Sequence, residues 1–438
     1  MSHFASTSRS LVSELPLRIG QRVTLYGFAE AIRDQKRMRF VILRDYTGKV
    51  QLTQSKEHAV LNAALEGLTP ESALIVAGTV VAAPTVKLGG LEVRLESVEI
   101  CGLADSILPI THDSGLEKWI DHRQVSLRYP EQQLIFSVQT TLEEAMREFW
   151  KQSRFREIHS PKLMGTASES GAEVFSVKYF GTTAFLAQSP QFYKQMAIAG
   201  GMESVFEIGP VFRAEPSFTS RHETEFTSID MEISWIKDHH DLMDFEQRWL
   251  THAIGKVADV HGTAIEANFG RAIVPPTLPF PEVTFAEARA IVERFGHIFT
   301  SPDDLDAEGE RILCEHMSAQ TGHEFLFVTD YPASNRAFYH MRHEEQSSLT
   351  KGFDLLWRGL EITTGAQREH RYDRLVAQAQ ERGLLLDSLS DYFAFFRFGC
   401  PPHGGMGVGL GRVLMRLLGA ASIREVTLLS RTPKRLRP

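Results

Sequence analysis

Between residues 18 and 104 the apolar positions fall in short runs of strand character, cut by turn signals. RVTLYGFAEAI, MRFVILRDYTGKVQLTQ, ALIVAGTVVA and LEVRLESVEI are rich in Val, Ile, Leu and Phe, and Asp45, Gly48 and Gly89-Gly90 punctuate them. About five strands in roughly 90 residues predict a small closed barrel such as an OB-fold, which commonly binds oligonucleotides on its sheet face; an SH3-like barrel or a regulatory β-domain has the same pattern.

After a loop-like connector, residues 105–130, the apolar period changes to that of a helix. From Leu134 onward Val138, Leu142, Ala145 and Phe149 share one face, with Met146 and Trp150 beside it. The helix runs into FREIHSPKL, a strand predicted to stop at Pro161. Such a helix and edge strand fit an oligomer interface or packing within one domain equally well. Residues 205–236 predict a hairpin: VFEIGPVFRAE as one strand, PSFTSRHETE as a polar tip, and FTSIDMEISWI returning. In the return strand Thr227, Ile229, Met231, Ile233 and Trp235 lie on one face, while Phe226, Ser228, Asp230, Glu232 and Ser234 lie on the other.

KGFDLLWRGLEITTGAQREHR places Glu361 among apolar residues, before a predicted Thr-Thr-Gly turn, with Arg368 further on. A carboxylate in an apolar strand is costly to bury without a cation or a metal. PPHGGMGVGLGRVLMRLLG reads as a Gly-rich approach to an amphipathic helix that carries Arg412 in its first turn. Gly-rich turns let a backbone come close to phosphates, and helix N-termini favour anions. The run fits neither the P-loop nor the dinucleotide fingerprint.

Composition narrows the class. With 438 residues, 43% hydrophobic and 23% charged, the chain is globular, neither collagen-like nor disordered. No run of about 18 apolar residues predicts a transmembrane helix. MSHFASTSRSLVSELPLRIG lacks the apolar core of a signal peptide, and Cys101, Cys314 and Cys400 lie too far apart to form a disulfide framework. The expected setting is cytoplasmic. A net charge of −8 argues against holding nucleic acid by bulk electrostatics. It leaves room for a local basic surface at Arg431, Lys434, Arg435 and Arg437, which reads equally as a solvated tail.

Taken in order, these segments resemble the class II aminoacyl-tRNA synthetases, most closely the aspartyl-tRNA synthetases of the short archaeal type. The helix ending in FREIHSPKL resembles motif 1 (about 138–163), the hairpin motif 2 (about 205–236), and GGMGVGLGRVLM motif 3 (about 404–418). The resemblance implies an α+β chain. A short N-terminal extension (1–17) would precede an OB-fold anticodon-binding domain (18–104), a hinge (105–130) and a catalytic domain (131–438) whose antiparallel sheet is flanked by helices. It implies a homodimer through motif 1, with ATP and L-aspartate as substrates, Mg²⁺ as cofactor, and tRNA(Asp), with tRNA(Asn) a further candidate, as partner.

Residue by residue, the resemblance assigns Arg213, Glu361 and Arg412 to catalysis. Arg213 would contact the α-phosphate and the substrate carboxylate, Ala214 and Glu215 would lie near the adenine, and Arg221, His222 and Glu223 in the motif 2 loop would meet ATP. Phe226 would stack on the adenine, with Gly409, Leu410, Gly411 and Arg412 closing over it. Glu361 and Thr364 match Mg²⁺ positions. Glu169, Gln191 and Asp230 match positions that hold the α-amino group, Thr364 borders the aspartate, and Lys194 and Arg368 supply charge for its β-carboxylate. In the barrel Phe40, Gln51 and Glu92 match anticodon contacts.

The sequence also departs from the pattern. Phe28 replaces a common tryptophan and is followed by Glu30. Gly411 replaces the acid before the motif 3 arginine, Ser170 a glycine, and Ala337 and Ser430 prolines. A paralogue kept for binding or regulation, or an enzyme passing aspartyl adenylate to another acceptor, remains an alternative, although the barrel domain argues against the latter.

Overall fold

The computed structural model describes residues 9–166, 173–216 and 219–437. The chain divides into two units, Met1–Gln133 and Leu134–Pro438.

In the first unit β1 (Arg22–Asp34), β2 (Met38–Asp45), β3 (Gly48–Ser55), β4 (Ala73–Ala82) and β5 (Leu91–Gly102) close into a barrel in the order β1-β2-β3-β5-β4. Alternation fills it: Val23, Leu25, Val41, Leu43, Val50, Leu52 and Val93 point inward and are buried. The barrel is of the OB type. Segment 105–130 is less of a loop than its sequence suggests. It carries helices Leu116–Asp121 and Arg123–Ser126, and Ile110, Val125 and Tyr129 form a small cluster with Trp119.

A helix runs from Pro130 to Gln152, starting upstream of the periodic run because proline suits a first helical turn. The second unit is built on an eight-stranded sheet. Its members are β6 (Arg156–Glu157), β10 (Ser204–Phe212), β11 (Glu225–Ser234), β12 (Glu282–Thr284), β13 (Phe325–Thr329), β14 (Gly352–Trp357), β15 (Glu361–Arg368) and β16 (His403–Gly409), in the order β12-β13-β14-β15-β16-β11-β10-β6. A small sheet of β7 (Leu163–Met164), β8 (Ser176–Tyr179) and β9 (Thr182–Leu186) lies apart from it in pairing. Helices Pro130–Gln152, His240–Phe269 and Leu410–Leu418 contribute Leu142, Trp150, Trp249, Leu250, Leu414 and Leu417 to one core with Ile229, Met231, Phe353, Leu355, Met406 and Val408 of the sheet.

Register sets the chemistry of the other face. One cross-strand row reads Glu207, Asp230, Gly407, Thr364, Asp354; the next contains Glu232, Gly405 and Ala366; a third, Ser234, His403 and Arg368. This face is not a solvated strand surface: Asp230 is 3% exposed and Glu232 0%.

Three local expectations are corrected. Thr363-Thr364-Gly365 lies inside β15, and the chain reverses at Arg358-Gly359, both at positive φ. The Gly-rich run is a central strand, β16, and not a turn; the helix begins only at Leu410. Two of its glycines are required by packing. A Cβ on Gly405 would overlap the Met231 carbonyl and the Glu232 carboxylate, and one on Gly404 would come within 2.7 Å of the Ala366 carbonyl. In FREIHSPKL the strand shrinks to the two residues of β6, pairing in parallel with β10; Pro161 has no N–H to extend it, and Leu163 already belongs to β7.

Candidate active site

A cavity of about 400 Å³ opens on the acidic face of β11, β15 and β16. Arg213, Glu215, Arg221, His222, Glu223, Phe226, Asp230, Glu361, Thr364, Arg368, Gly409, Gly411 and Arg412 all line it, as does Gln191. The hairpin places the first group. β10 delivers Arg213 just past its end, with its guanidinium carbon 5.5 Å from the ring centre of Phe226 at the start of β11, and 3.9 Å separates Arg213 from Glu215. Glu223 is buried, takes a 2.9 Å bond from the Thr427 hydroxyl, and has its carboxyl pushed up to about 7 by burial.

Arg412, one turn into its helix, donates 2.9 Å to the Glu361 carbonyl and lies 3.4 Å from that residue's carboxylate. It also sits 3.4 Å from Nε2 of His222, whose pKa burial and the Arg412 and Arg221 charges push down to about 4. Burial opposes the charge on Glu361, but Arg412 and Arg336 outweigh it and hold the carboxyl below its usual range. About a third of the Glu361 side chain still faces the cavity. The Thr364 hydroxyl donates to Glu361 at 3.0 Å. Across the ladder from Thr364, Asp354 is held by Arg336 at 2.6 Å and by the Tyr331 hydroxyl.

Arg368 is 3% exposed and donates to Glu232 (2.9 Å), Gln191 (3.0 Å), the Gly405 carbonyl (2.9 Å) and His340 (3.1 Å). Lys194 does not line the cavity. Its ammonium, 0% exposed, is held by Asp230 (2.8 Å), by the Met231 and Met406 carbonyls (3.3 and 3.1 Å), and lies 3.5 Å from Glu232. Arg368 therefore meets the cavity directly and Lys194 stands one carboxylate behind it. Leu410 points into the core, and the Ala214 N–H bonds the Glu173 carbonyl. Glu169 and Ser170 lie outside the described residues. At Gly411 a Cβ would come 2.7 Å from the Ile423 side chain, so the missing motif 3 acid leaves no gap.

The sequence reading missed several members. Glu310 is buried, binds Arg221 at 2.7 Å and accepts from the Glu361 N–H at 3.3 Å; burial pushes its carboxyl up to about 7. Asp354, Ser189, Tyr339 and His340 complete the picture, beside Ser228 of the polar face of β11. No local pattern signals Asp354, Tyr339 or His340.

In the barrel, Gln51 and Glu92 are ladder partners joined by a 3.1 Å hydrogen bond, and Phe40 lies on β2, opposite Thr53. Arg128 covers the Phe28 ring at 4.0 Å, and Glu30 is engaged by Arg44 and Lys49. Arg431 pairs its backbone with Glu225 and accepts from the Thr224 N–H, so it is no free tail.

Fixed arginines ringing a cavity beside an aromatic face, with a cation-backed carboxylate floor and a separate OB barrel, are the parts of a tRNA-charging enzyme. Residues 115–433 match the family of tRNA synthetases class II (D, K and N), and residues 23–101 match the OB-fold nucleic acid binding domain. The chain belongs to the class II tRNA synthetases and is a ligase of that family. Among its relatives, it is 41% identical to the aspartate–tRNA(Asp/Asn) ligase of Methanopyrus kandleri, with 97% of each chain covered. It is 38% identical to the aspartate–tRNA(Asp) ligase of Pyrococcus furiosus, covering 96% of this chain and 97% of that one. The asparaginyl-tRNA synthetase of Pyrococcus horikoshii in complex with asparaginyl-adenylate is similar at a TM-score of 0.92 and 31% identity, over 99% of this chain and 100% of the other.

Proposed function

We propose that this synthetase is an aspartate–tRNA ligase, joining L-aspartate to ATP as aspartyl adenylate and passing the aspartyl group to tRNA. The observation that carries the reading is Arg368, a buried guanidinium fixed on the cavity wall by Glu232, Gln191 and His340 and backed by Lys194. A side-chain carboxylate is the ligand such a cation suits. The aspartate–tRNA ligases among its relatives point the same way.

In this reading the α-carboxylate of aspartate attacks the α-phosphorus and pyrophosphate leaves. Arg213 meets the α-phosphate, Phe226 stacks on the adenine, and Arg412 and Arg221 face the charge that gathers on the outer phosphates. Asp230 and Gln191, with Glu169, hold the α-amino group. The oxygen donors Glu361 and Thr364, with the Asp354 carboxylate across the ladder, suit a hard divalent ion such as Mg²⁺, which supplies charge neutralisation when bound. Phe40, Gln51 and Glu92 read the anticodon. The protein pairs as a homodimer through motif 1 and works in the cytoplasm. No helix among the described residues is long and apolar enough to cross a membrane.

A second reading concerns tRNA range: the enzyme charges tRNA(Asn) as well as tRNA(Asp). It rests on Phe28, covered by Arg128, in place of the common tryptophan, and on Pro84 and Thr85 in the loop 83–90, where a discriminating enzyme would carry a lysine; the exposed Lys87 of the same loop is the residue that would supply the opposing contact. One lost base contact is worth about 1–3 kcal/mol. Aspartate-dependent pyrophosphate exchange, followed by aspartylation of both transcripts, tests both readings. Exchange with aspartate and kcat/KM values for the two tRNAs within about tenfold are expected. No exchange in folded protein refutes the first; a preference for tRNA(Asp) beyond about a hundredfold refutes the second.

A further inference from the structure

His340 lies outside all three motifs, yet it lines the cavity and is 4% exposed. Its backbone forms an isolated antiparallel bridge with Arg368, flanked by the bonds Met341 N–H to Gln367 carbonyl and Glu369 N–H to Tyr339 carbonyl. The residue is thus clamped directly across from the arginine by main chain on both sides. Its ring meets the guanidinium: Nε2 lies 3.1 Å from Nη1. An arginine can only donate, so Nε2 accepts and Nδ1 carries the proton. Burial, with Arg368, Arg336 and Arg382 nearby, keeps the ring neutral by holding its pKa well below the usual value.

Three edges of the guanidinium are consequently fixed by different chemistry. Glu232 takes Nε, Gln191 and the Gly405 carbonyl take Nη2, and His340 takes Nη1. Of these four acceptors one is a backbone carbonyl, two are neutral side chains and one is a carboxylate. A carboxylate at position 340 would give Arg368 a second resident anion, and an incoming carboxylate would then have to compete with it. A neutral acceptor orients the fork without cancelling its charge.

From this geometry we propose that His340 is the positioning residue that aims Arg368 at the side-chain carboxylate of the amino acid substrate. The inference rests on the reading of the site as an aspartate pocket and assigns a specificity role within it. His340 acts through Arg368 and is not itself a catalytic residue.

The test compares His340→Leu, His340→Gln and His340→Glu in pyrophosphate exchange, with KM for aspartate and for ATP measured separately and folding checked by thermal unfolding. Loss of a hydrogen bond to a charged group predicts a rise in aspartate KM of about ten- to a hundredfold for His340→Leu. ATP KM should stay within about twofold, since the perturbation is confined to the amino acid subsite. His340→Gln, which keeps a neutral acceptor, should recover aspartate KM to within about threefold of the parent, while His340→Glu should stay as poor as His340→Leu. An unchanged aspartate KM in His340→Leu, a parallel rise for ATP, or His340→Gln no better than His340→Leu overturns the inference. Should His340→Leu fail to fold, the contrast between the near-isosteric Gln and Glu variants makes the same decision. Absence of aspartate-dependent exchange in the parent enzyme overturns the functional reading itself; exchange in the parent with indifferent variants overturns the role of His340 alone.

Discussion

Replacing Lys194 by methionine keeps the apolar stem and removes only the charge. The ammonium is 0% exposed and sits between two carboxylates, Asp230 at 2.8 Å and Glu232 at 3.5 Å, while Arg368 holds Glu232 from another side at 2.9 Å. The four groups carry two positive and two negative charges and sum to zero. Lys194→Met leaves a net negative cluster of buried side chains, a loss of about 3–5 kcal/mol for a broken buried pair. For a unit of this size each kcal/mol corresponds to about 2–4 °C in Tm, so a fall on the order of 10 °C is expected in calorimetry. The cause is charge imbalance, so adding Asp230→Asn to Lys194→Met should recover at least about half of the loss, despite being a second mutation in a buried site. The deficit should also narrow in acid. Burial opposes the charge on Glu232, but Arg368 and Lys194 prevail and hold its carboxyl below the usual range. Without the lysine that carboxyl takes up a proton at higher pH than before. A Tm change under about 2 °C, or a double variant no more stable than the single one, would refute the reasoning.

Three further outcomes follow from the same geometry. Glu361→Gln, which keeps the shape but removes charge between Arg412 and Thr364, should lower aspartate-dependent pyrophosphate exchange by at least about a hundredfold in protein that remains folded, read by radiolabelled pyrophosphate. Phe226→Leu should raise KM for ATP about ten- to a hundredfold, the worth of a lost base stack, and leave KM for aspartate nearly unaltered in the same assay. Glu246, fully buried on helix His240–Phe269 with Thr363 as its donor at 2.6 Å, has its carboxyl pushed up to about 8 by burial. The folded chain therefore keeps a proton that the unfolded chain releases above its ordinary carboxylate pKa, so stability declines as pH rises from about 4.5 to about 8. Glu246→Gln should flatten that decline in a series of thermal melts.

Much of the site was readable because its residues sit in short runs whose pattern is local. Asp230 and Glu232 alternate with Ile229 and Met231, Glu361 interrupts an apolar strand, and Arg412 follows a glycine run into an amphipathic helix; the ladder then brings these runs side by side. What escaped comes from elements with no pattern of their own. Glu310 looks like an ordinary acidic residue in the first turn of helix Ala307–Thr321, and nothing local says that Arg221 will fold onto it. His340 and Asp354 gain meaning only from the register of β14 and β15 and of the bridge at Arg368. Lys194 was legible as a necessary cation but not in its layer, because its depth depends on carbonyls of Met231 and Met406, far away in sequence. The glycine run was mistaken for a turn since composition alone does not distinguish a flexible backbone from one crowded by its neighbours' carboxylates.

That crowding has a genetic consequence. Every missense change in a glycine codon adds at least a Cβ, and at Gly404 and Gly405 the space for it is already filled by backbone oxygens and the Glu232 carboxylate. Selection at these two positions therefore acts against any replacement, whatever its polarity or size. Two residues absent from the cavity lining should tolerate fewer substitutions in a population than some of the charged groups that line it, and a map of variation along the gene would mark codons 404 and 405 as a pair in which the surviving nucleotide changes are synonymous.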